Sequence, residues 1–314
     1  MIWITGALGL AILLVAGDLL VRGAVNASLR LGIPALIVSL TVVAFGTSAP
    51  ELLISIKAVL DNAPGLALGN AVGSNTANVL LVLGLPALIS RLHTAEFDTR
   101  KSFVTMIAVS VVFIGICFFG PLTWVHGLVL LAILAGILAD QTRVALAHRR
   151  QSEITKIEGA DPKMAGTKIA AFLLLGLIGL PLGASLLVEA AIEIAEQVGV
   201  SDAVIGLTLV ALGTSLPELA TTVMAAIRRQ ADVALGNVIG SNLFNLLAIV
   251  GIASLFGPIP VAPGFLTFDL WVMLGASLLL VPFVFSNKRD LTRRWGTMLT
   301  AFYIIYVVMV VMHG

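Results

Sequence analysis

The sequence predicts an all-α membrane protein with ten transmembrane helices in two inverted-topology five-helix repeats. Three observations lead to this fold class: an apolar composition, ten long hydrophobic runs, and a polar segment that occurs twice. Of 314 residues, 59% are hydrophobic and 11% are charged, with a mean hydropathy of +1.09. Soluble domains carry about 25% charged residues. A soluble fold of this length could not enclose so much apolar surface, so we expect the chain to lie in a lipid bilayer.

Ten runs are long enough to cross the hydrocarbon, which takes about twenty residues for about 30 Å. The second, third, seventh and eighth runs contain Gly, Pro and polar residues, so hydropathy alone undervalues them. The predicted spans are residues 2–23, 34–60, 66–89, 103–119, 122–147, 167–195, 203–227, 233–256, 268–285 and 296–312.

The basic residues segregate strongly between the two sides of this ten-span arrangement. One side holds 17 Lys and Arg residues, and the other holds only Lys57. The positive-inside rule makes the basic side cytoplasmic and places both termini outside. We therefore expect a multi-pass protein of the plasma or inner membrane. The net charge of +1 gives no indication of nucleic-acid binding.

A polar segment occurs twice, at a constant offset of 167 residues. Between residues 37–84 and 204–251, 21 of 48 positions are identical, and many of these are polar. The two motifs read LTVVAFGTSAPE (40–51) and ALGNAVGSNTAN (67–78) in the first copy, and LTLVALGTSLPE (207–218) and ALGNVIGSNLFN (234–245) in the second.

The duplication divides the chain into two repeats, residues 1–147 and 169–314, which are joined by a hydrophilic cytoplasmic linker at 148–168. An odd number of spans in each half requires the halves to insert with opposite orientation, as in transporters with inverted repeats. The linker is too short for a regulatory domain, because folded domains have about 50 residues or more.

Glu51 and Glu218 occupy the same position of the two copies, well inside apolar spans. Placing one carboxylate at mid-bilayer costs about 2.5–3.5 kcal/mol on insertion scales. The matching part of the spans offers no Lys or Arg as a counter-ion. We therefore expect a bound cation or a proton to be the partner of these carboxylates.

The residues before each glutamate favour a cation. On a helix, Thr47 and Glu51 share a face and Ser48 is offset by about 100°. Pro50 has no N–H, so we expect a distorted helix at Gly46–Pro50 and a carbonyl freed to face an ion. Carboxylate, hydroxyl and carbonyl oxygens form the ligand set that hard cations such as Ca²⁺ prefer.

The second motif adds Ser74 and Asn78, again four residues apart. Ion ligation and interhelical hydrogen bonding are both open for them, and their recurrence beside a carboxylate favours ligation. The motif also contains GxxxG pairs, for which we predict close helix packing, at Gly69 and Gly73 and at Gly236 and Gly240. Outside the two segments, Asp18 and Arg22 are spaced for a local ion pair.

At these residues the chain resembles the cation/calcium exchanger superfamily, whose best-known members are sodium/calcium exchangers. The pattern G-T-S-x-P-E stands at Gly46–Glu51 and Gly213–Glu218, and G-N-x-x-G-S-N-x-x-[ND] at Gly69–Asn78 and Gly236–Asn245. The resemblance covers the ten-span plan and implies midplane ion sites and alternating access, with the first and sixth helices sliding. The side-chain and carbonyl ligands that it implies are Ala44, Thr47, Ser48, Glu51, Ser74, Asn78, Ala211, Thr214, Ser215, Glu218, Ser241 and Asn245.

The chain departs from familiar sodium/calcium exchangers at one kind of position. They often have Asp at one of the two Asn positions, whereas Asn78 and Asn245 are both amides here. The site then has two carboxylates, which balance one Ca²⁺ or two monovalent ions.

These features predict a secondary antiporter that exchanges Ca²⁺ for Na⁺ by alternating access. The alternative is a proton-coupled exchanger of Ca²⁺ or another divalent cation. A cation channel fits less well, because channels usually build their filters from rings of symmetric subunits. The sequence has no nucleophile–base pair and no cofactor motif, so we expect neither an enzyme nor a cofactor. We expect a monomer without a regulatory domain.

Overall fold

The computed structural model is all-helical in residues 2–93, 99–151, 161, 163–197, 211–286 and 290–313, which are the residues that the structure describes. Seven helices among them are long and apolar enough to cross a membrane, and a bent pair makes an eighth span. The helices are α1 Ile2–Leu31, α2 Ala35–Thr47, α3 Ala49–Leu60, α4 Pro64–Ile89, α5 Arg100–Cys117, α6 Trp124–Gln151, α7 Gly166–Gln197, α8 Ala211–Thr214, α9 Leu216–Ile227, α10 Ala231–Phe256, α11 Phe265–Val284 and α12 Arg293–His313.

This architecture confirms the prediction of an all-α membrane protein, while the count of ten spans stays a prediction. The start of the predicted seventh span, residues 203–210, lies outside the described residues, as does most of the linker predicted at 148–168. Large apolar side chains such as Trp3 (76% exposed) and Phe119 (84% exposed) cover the outer surface. Exposed apolar surface on this scale needs lipid around it.

The helix break predicted around Pro50 is present. Helices α2 and α3 meet at an angle of 42°, and Ser48 between them leaves helical geometry with φ −83° and ψ 1°. Ser215 adopts nearly the same conformation between α8 and α9, with φ −90° and ψ 2°. A proline in the first turn of the following helix starts it again, because that position needs no N–H. The two breaks place Glu51 and Glu218 in the first turns of α3 and α9.

Helices α4 and α10, which carry the second motif of each copy, lie at the centre of the bundle. Most of their residues are buried, in contrast to those of α1, α6 and α7. Gly236 and Gly240 let α10 pack directly on the backbone of α2. A Cβ atom added at Gly240 would lie 2.6 Å from the Leu40 carbonyl oxygen and 2.6 Å from the Ala44 Cβ. The packing role predicted for these two glycines is confirmed. For the equivalent Gly69 and Gly73 it is wrong, because an added Cβ would lie 3.7 Å from the Phe265 ring at Gly69 and would meet no described atom within 4 Å at Gly73.

This contact predicts a large loss of stability for Gly240→Ala. The added methyl group meets backbone, which cannot move aside as a flexible side chain would, and overpacking of this kind typically costs about 1–3 kcal/mol. The matched control is Gly136→Ala on the exposed face of α6, where an added Cβ meets no described atom within 4 Å. We expect the thermal midpoint of the purified protein to fall for Gly240→Ala and to stay or rise for Gly136→Ala. Equal midpoints for the two variants would contradict this packing.

Helices α1 and α7 pack against each other through small residues. A Cβ at Gly9 would lie 2.9 Å from the Gly183 carbonyl oxygen, and one at Gly176 would lie 3.0 Å from the Ala16 carbonyl oxygen. Gly176 is the repeat counterpart of Gly9, and Gly183 is the counterpart of Ala16. Side chains of this pair form a second hydrophobic cluster together with Val38 and Val43 of α2 and Ala220 of α9.

The last helix of each half, α6 and α12, packs against the other half. A Cβ at Gly296 of α12 would lie 2.7 Å from the Gly84 carbonyl oxygen, and one at Gly127 of α6 would lie 2.5 Å from the Gly251 carbonyl oxygen. Gly251 is the counterpart of Gly84. Two isolated antiparallel bridges, Leu92 with Leu291 and Leu122 with Ile259, join the loops of the two halves in the same crossed manner.

Asp18 forms the local ion pair that its spacing predicts, with 3.0 Å between its Oδ2 and the Arg22 Nε. Its other carboxylate oxygen accepts a hydrogen bond from the Arg228 Nε, a contact that the sequence analysis missed. Arg228 follows α9 directly. Asp18 therefore ties α1 to the end of α9 as well as to its own helix.

Candidate cation-binding site

Both predicted carboxylates lie at the centre of the helical bundle. Glu51 and Glu218 are each 0% exposed, and they are close enough to repel each other electrostatically. Each stands in the first turn of a helix, where the helix dipole favours negative charge. The described residues provide no salt-bridge partner for either carboxylate.

The predicted hydroxyl ligands come to these carboxylates from both halves. The Ser48 hydroxyl donates a hydrogen bond to Glu218 Oε1 across 3.3 Å, which links positions 170 residues apart. Thr47 and Ser241 also lie beside the Glu218 carboxyl group. The eight predicted ligands besides the glutamates and alanines are all buried, namely Thr47, Ser48, Ser74, Asn78, Thr214, Ser215, Ser241 and Asn245.

Six of the ten predicted side-chain ligands, including both glutamates, have atoms without a hydrogen-bond partner among the described residues. Among the described residues, ten buried side-chain N and O atoms lack one, and eight of the ten belong to predicted ligands. Each such atom ordinarily costs about 1–3 kcal/mol. The eight are Glu51 Oε1 and Oε2, Asn78 Oδ1, Ser215 Oγ, Glu218 Oε2, Ser241 Oγ, and Asn245 Oδ1 and Nδ2.

The chemistry of this cluster suits a hard cation. Seven of the eight atoms are oxygens, and two side chains contribute negative charge. A cation of the Ca²⁺ type takes six to eight oxygen ligands from carboxylates, carbonyls and hydroxyls. Soft metals prefer Cys and His, and the described residues include no group of three or more His, Cys, Asp or Glu side chains.

The two asparagines at the end of the second motif differ in their hydrogen bonding. Each begins a wider helical turn, Asn78–Val82 in α4 and Asn245–Ile249 in α10, a feature frequent at functional sites. Asn78 Nδ2 donates to Asn242 Oδ1 across 3.1 Å, which directs its Oδ1 elsewhere. Both polar atoms of the Asn245 amide lack a partner.

The carbonyl of Ala44 is held close to this cluster. It accepts the Ser48 N–H at 3.0 Å and the Thr47 hydroxyl at 3.3 Å. Ala211 opens α8, at the edge of the described residues. The ligand role of both carbonyls stays a prediction.

Comparison with known proteins decides the family. The family model described as "Sodium/calcium exchanger protein" matches residues 1–142 and 168–312. The chain belongs to the sodium/calcium exchanger family. The chain is 35% identical to the inner membrane protein YrbG of Escherichia coli, over 96% of this chain and 94% of YrbG. It is 34% identical to the sodium/calcium exchanger MaX1 of Methanosarcina acetivorans, over 96% of each chain.

A solved structure supports the same conclusion. This chain superimposes on the sodium-calcium exchanger NCX_Mj, soaked with Na⁺ and Sr²⁺, with a TM-score of 0.83 and 34% sequence identity. The match covers 97% of this chain and 96% of NCX_Mj.

Two asparagines that were not predicted as site residues donate hydrogen bonds to the backbone of the glutamates. Asn70 Nδ2 donates to the Glu51 carbonyl oxygen at 3.3 Å and to the Ser55 hydroxyl at 3.1 Å. Asn237 repeats this arrangement in the other half of the chain. Its Nδ2 donates to the Glu218 carbonyl oxygen at 3.4 Å and to the Thr222 hydroxyl at 3.3 Å.

The same two asparagines also connect the halves. The Thr47 hydroxyl donates to Asn237 Oδ1 at 3.4 Å, and the Thr214 hydroxyl donates to Asn70 Oδ1 at 3.4 Å. Each amide thus holds a glutamate of its own half and a threonine of the other. The available signal was their identity at offset 167 within the G-N pair of the second motif.

Asp269 is a further acid in a span that the sequence analysis missed. It lies one turn inside α11, and the Tyr306 hydroxyl of α12 donates to its Oδ1 at 3.4 Å. The signal was its position within the predicted span 268–285. Its described hydrogen-bond partner lies on α12 and not in the cluster around the two glutamates.

Proposed function

We propose that this protein is a secondary antiporter that moves Ca²⁺ and Na⁺ in opposite directions across the membrane by alternating access. The observation that carries this proposal is the buried cluster of unpartnered oxygens around Glu51 and Glu218. Family membership and the likeness to NCX_Mj support it. Uncompensated carboxylates at this depth are costly unless cations occupy their surroundings for part of the cycle.

Charge balance explains how the two cations compete. With two carboxylates, the site is neutral when it holds one Ca²⁺ or two Na⁺. Because Glu51 and Glu218 repel each other, a cation between them removes that repulsion and also satisfies their free oxygens. One site that holds either ion set, but not both, gives exchange rather than co-transport.

The proposed ligands are those that the motifs imply. Glu51 and Glu218 supply the charge, and hydroxyls, amides and two backbone carbonyls complete the shell. Asn70 and Asn237 act on the ions indirectly, because they hold the backbone of the glutamates. The full proposed set is Ala44, Thr47, Ser48, Glu51, Ser74, Asn78, Ala211, Thr214, Ser215, Glu218, Ser241 and Asn245.

We further propose that the two halves are inverted repeats of five helices each. The crossed contacts support this, since each half repeats the partner choices of the other: Asn75 Nδ2 donates to the Asn242 carbonyl oxygen at 3.1 Å, and Asn242 Nδ2 to that of Asn75 at 3.5 Å. Such reciprocity is what a pseudo-two-fold axis through the site produces.

Alternating access requires a part that moves, because both glutamates are fully buried. The α1–α7 pair is the proposed part. Glycines such as Gly9 and Gly176 hold its two helices together as one unit, and Gly17 of α1 lets the pair pack closely on α9, where an added Cβ would lie 3.0 Å from the Ala220 carbonyl oxygen. Sliding this pair along α2 and α9 would open the site to one side and then to the other.

The proposed location is the inner or plasma membrane, with both termini outside. The segregation of 17 basic residues to one side supports this orientation. The name of the relative YrbG, an inner membrane protein, agrees with the location.

Proton coupling is the second candidate, and the absence of a third carboxylate favours it. Asn78 and Asn245 leave the site with two acids, and each acid can take up one proton when Ca²⁺ leaves. Two protons then replace one Ca²⁺ at constant charge.

Flux measurements separate these candidates. We expect ⁴⁵Ca²⁺ to accumulate in proteoliposomes of the purified protein when an outward Na⁺ gradient is imposed, because Na⁺ competes for the same oxygens. K⁺ and pH gradients, imposed one at a time at equal ionic strength, serve as controls. Uptake that does not respond to the Na⁺ gradient but follows the proton gradient would show that protons, and not Na⁺, are exchanged for Ca²⁺. Conductance at channel rates would contradict a carrier.

A further inference from the structure

A basic crevice lies at one end of the bundle, away from the cation site. It is an open cavity of about 670 Å³ between the end of α4 and the beginning of α12. Three arginines line it together with two hydroxyl side chains and one apolar side chain. The lining residues are Ile89, Ser90, Arg91, Thr292, Arg293 and Arg294.

The charge of this crevice is only partly balanced. Arg91 pairs with Asp290, with 2.9 Å between Nε and Oδ2, while its side chain stays 57% exposed. Arg293 and Arg294 are exposed, and neither forms an ion pair with a carboxylate in the described part of the chain. An anion in the crevice would meet several guanidinium groups at once.

The crevice is built on fixed backbone. Leu92 and Leu291 exchange two backbone hydrogen bonds of 3.1 Å directly beneath it, which clamp its two walls together. Arg293 Nη2 donates to the carbonyl oxygen of Ile89 at the end of α4, at 3.5 Å. Asp290 also lies 3.1 Å from His93 Nδ1. These contacts therefore hold in place the backbone that carries the three arginines.

The crevice also lies where a membrane surface is expected. Helix α4 is long and apolar enough to cross a membrane, and α12 contains the last predicted span, residues 296–312. Their contact at Gly84 and Gly296 is less than two turns from the crevice. Ile89 is 52% exposed at the wall of the crevice. Trp295 packs edge-on to Phe283, with 5.0 Å between ring centroids, and aromatic residues favour the bilayer interface.

We propose that this crevice binds the phosphate group of an anionic phospholipid, with Arg91 and Arg294 as its main contacts. The lipid would come from the leaflet on the side of the membrane where the basic residues lie. Guanidinium groups recognise phosphate oxygens through paired N–H donors, and basic pockets between spans on the cytoplasmic side bind acidic headgroups. The exposed Ile89 gives the first methylenes of an acyl chain an apolar wall, which a free phosphate ion would not use. The proposal depends on the membrane orientation but not on Ca²⁺ exchange.

Lipid binding to the intact purified protein tests this site. Native mass spectrometry in detergent would count bound dioleoyl phosphatidylglycerol and, separately, dioleoyl phosphatidylcholine. We expect the wild type to prefer phosphatidylglycerol by about tenfold or more, since each basic side chain near an acidic surface strengthens binding severalfold. Arg91→Gln with Arg294→Gln should reduce that preference by about tenfold.

Two further variants keep the test decisive. Arg294→Gln alone leaves the Arg91–Asp290 pair intact and should lose about fivefold in preference. Arg143→Gln removes an exposed basic residue near the same end of α6, outside the crevice, and should change nothing. Equal preference in the wild type and both crevice variants would overturn the proposal. If inorganic phosphate raised the thermal midpoint of the protein as much as phosphatidylglycerol does, the proposal would also be overturned, in favour of a free-anion site.

Discussion

Glu51→Gln and Glu218→Gln will each abolish Ca²⁺ exchange while the protein still folds. Each substitution keeps the shape of a fully buried side chain and removes one of the two negative charges of the site. Two unit charges 4 Å apart interact by about 4 kcal/mol near an effective dielectric of 20, and a divalent cation doubles that. We expect exchange to fall by about 100-fold or more, measured as ⁴⁵Ca²⁺ uptake into proteoliposomes.

The stability of the same variants should move in the opposite direction. In the absence of Ca²⁺, Glu51→Gln removes a buried carboxylate that repels Glu218 and has no hydrogen-bond partner for either oxygen. The thermal midpoint without cations should therefore stay or rise, while the increase that Ca²⁺ produces in the wild type should disappear. A variant that merely unfolds would show a lower midpoint, so the two measurements distinguish a lost ligand from a lost fold.

The matched control is Glu193→Gln on α7. Glu193 is an exposed acid outside the buried cluster, and its loss removes the same charge from the chain. We expect exchange and the Ca²⁺-induced rise in midpoint to stay at wild-type levels. Normal transport by both Glu51→Gln and Glu218→Gln would contradict the site assignment.

Much of this site follows from the sequence because local chemistry dictates it. Pro50 cannot donate to Gly46, so a break before Glu51 is unavoidable, and the structure bends there by 42°. Gly240 has no side chain, so α10 can approach α2 closely. Acid, hydroxyl and amide side chains that recur at one offset predict a shared polar centre before any contact is known.

The missing parts are contacts between distant segments. Asn70 and Thr214 are 144 residues apart, and Asp18 and Arg228 are 210 residues apart. Hydropathy and local spacing contain no information on which helices become neighbours. The duplication did contain some, because a residue that recurs in both copies is expected to have recurring partners, and Asn70 and Asn237 do.

The two copies of the second motif differ at their last asparagine, the position at which a third carboxylate would add charge. Asn78 is anchored by its hydrogen bond to Asn242, and Asn245 is not. An Asp at position 78 would place its carboxylate oxygen about a hydrogen-bond length from Asn242 Oδ1, although both atoms are acceptors. Asn242 Oδ1 would then have lost its donor. An acid at position 245 meets no such conflict. The two copies are therefore unequal in their capacity to hold a third carboxylate.

Asn245→Asp will tighten Ca²⁺ binding, whereas Asn78→Asp will not. The added carboxylate at 245 brings a third negative charge among oxygens that already lack partners. Its repulsion by the two glutamates is present with and without Ca²⁺, whereas its attraction for the cation acts only in the bound state. We expect the Ca²⁺ concentration for half-maximal exchange to fall by about tenfold at constant Na⁺. The measurement is the Ca²⁺ dependence of ⁴⁵Ca²⁺ uptake at a fixed, mildly alkaline pH.

Asn78→Asp serves as the matched control, because it adds the same charge to the same cluster. We expect it to give weaker or unchanged apparent affinity and a lower thermal midpoint, since it breaks the contact with Asn242. Equal gains in affinity at both positions would show that charge alone governs the site and that the Asn242 contact is irrelevant. Loss of affinity at both positions would show that the cluster has no room for a third carboxylate. The amides at Asn78 and Asn245, which set this chain apart from familiar exchangers, would then reflect a site that binds fewer cations at a time.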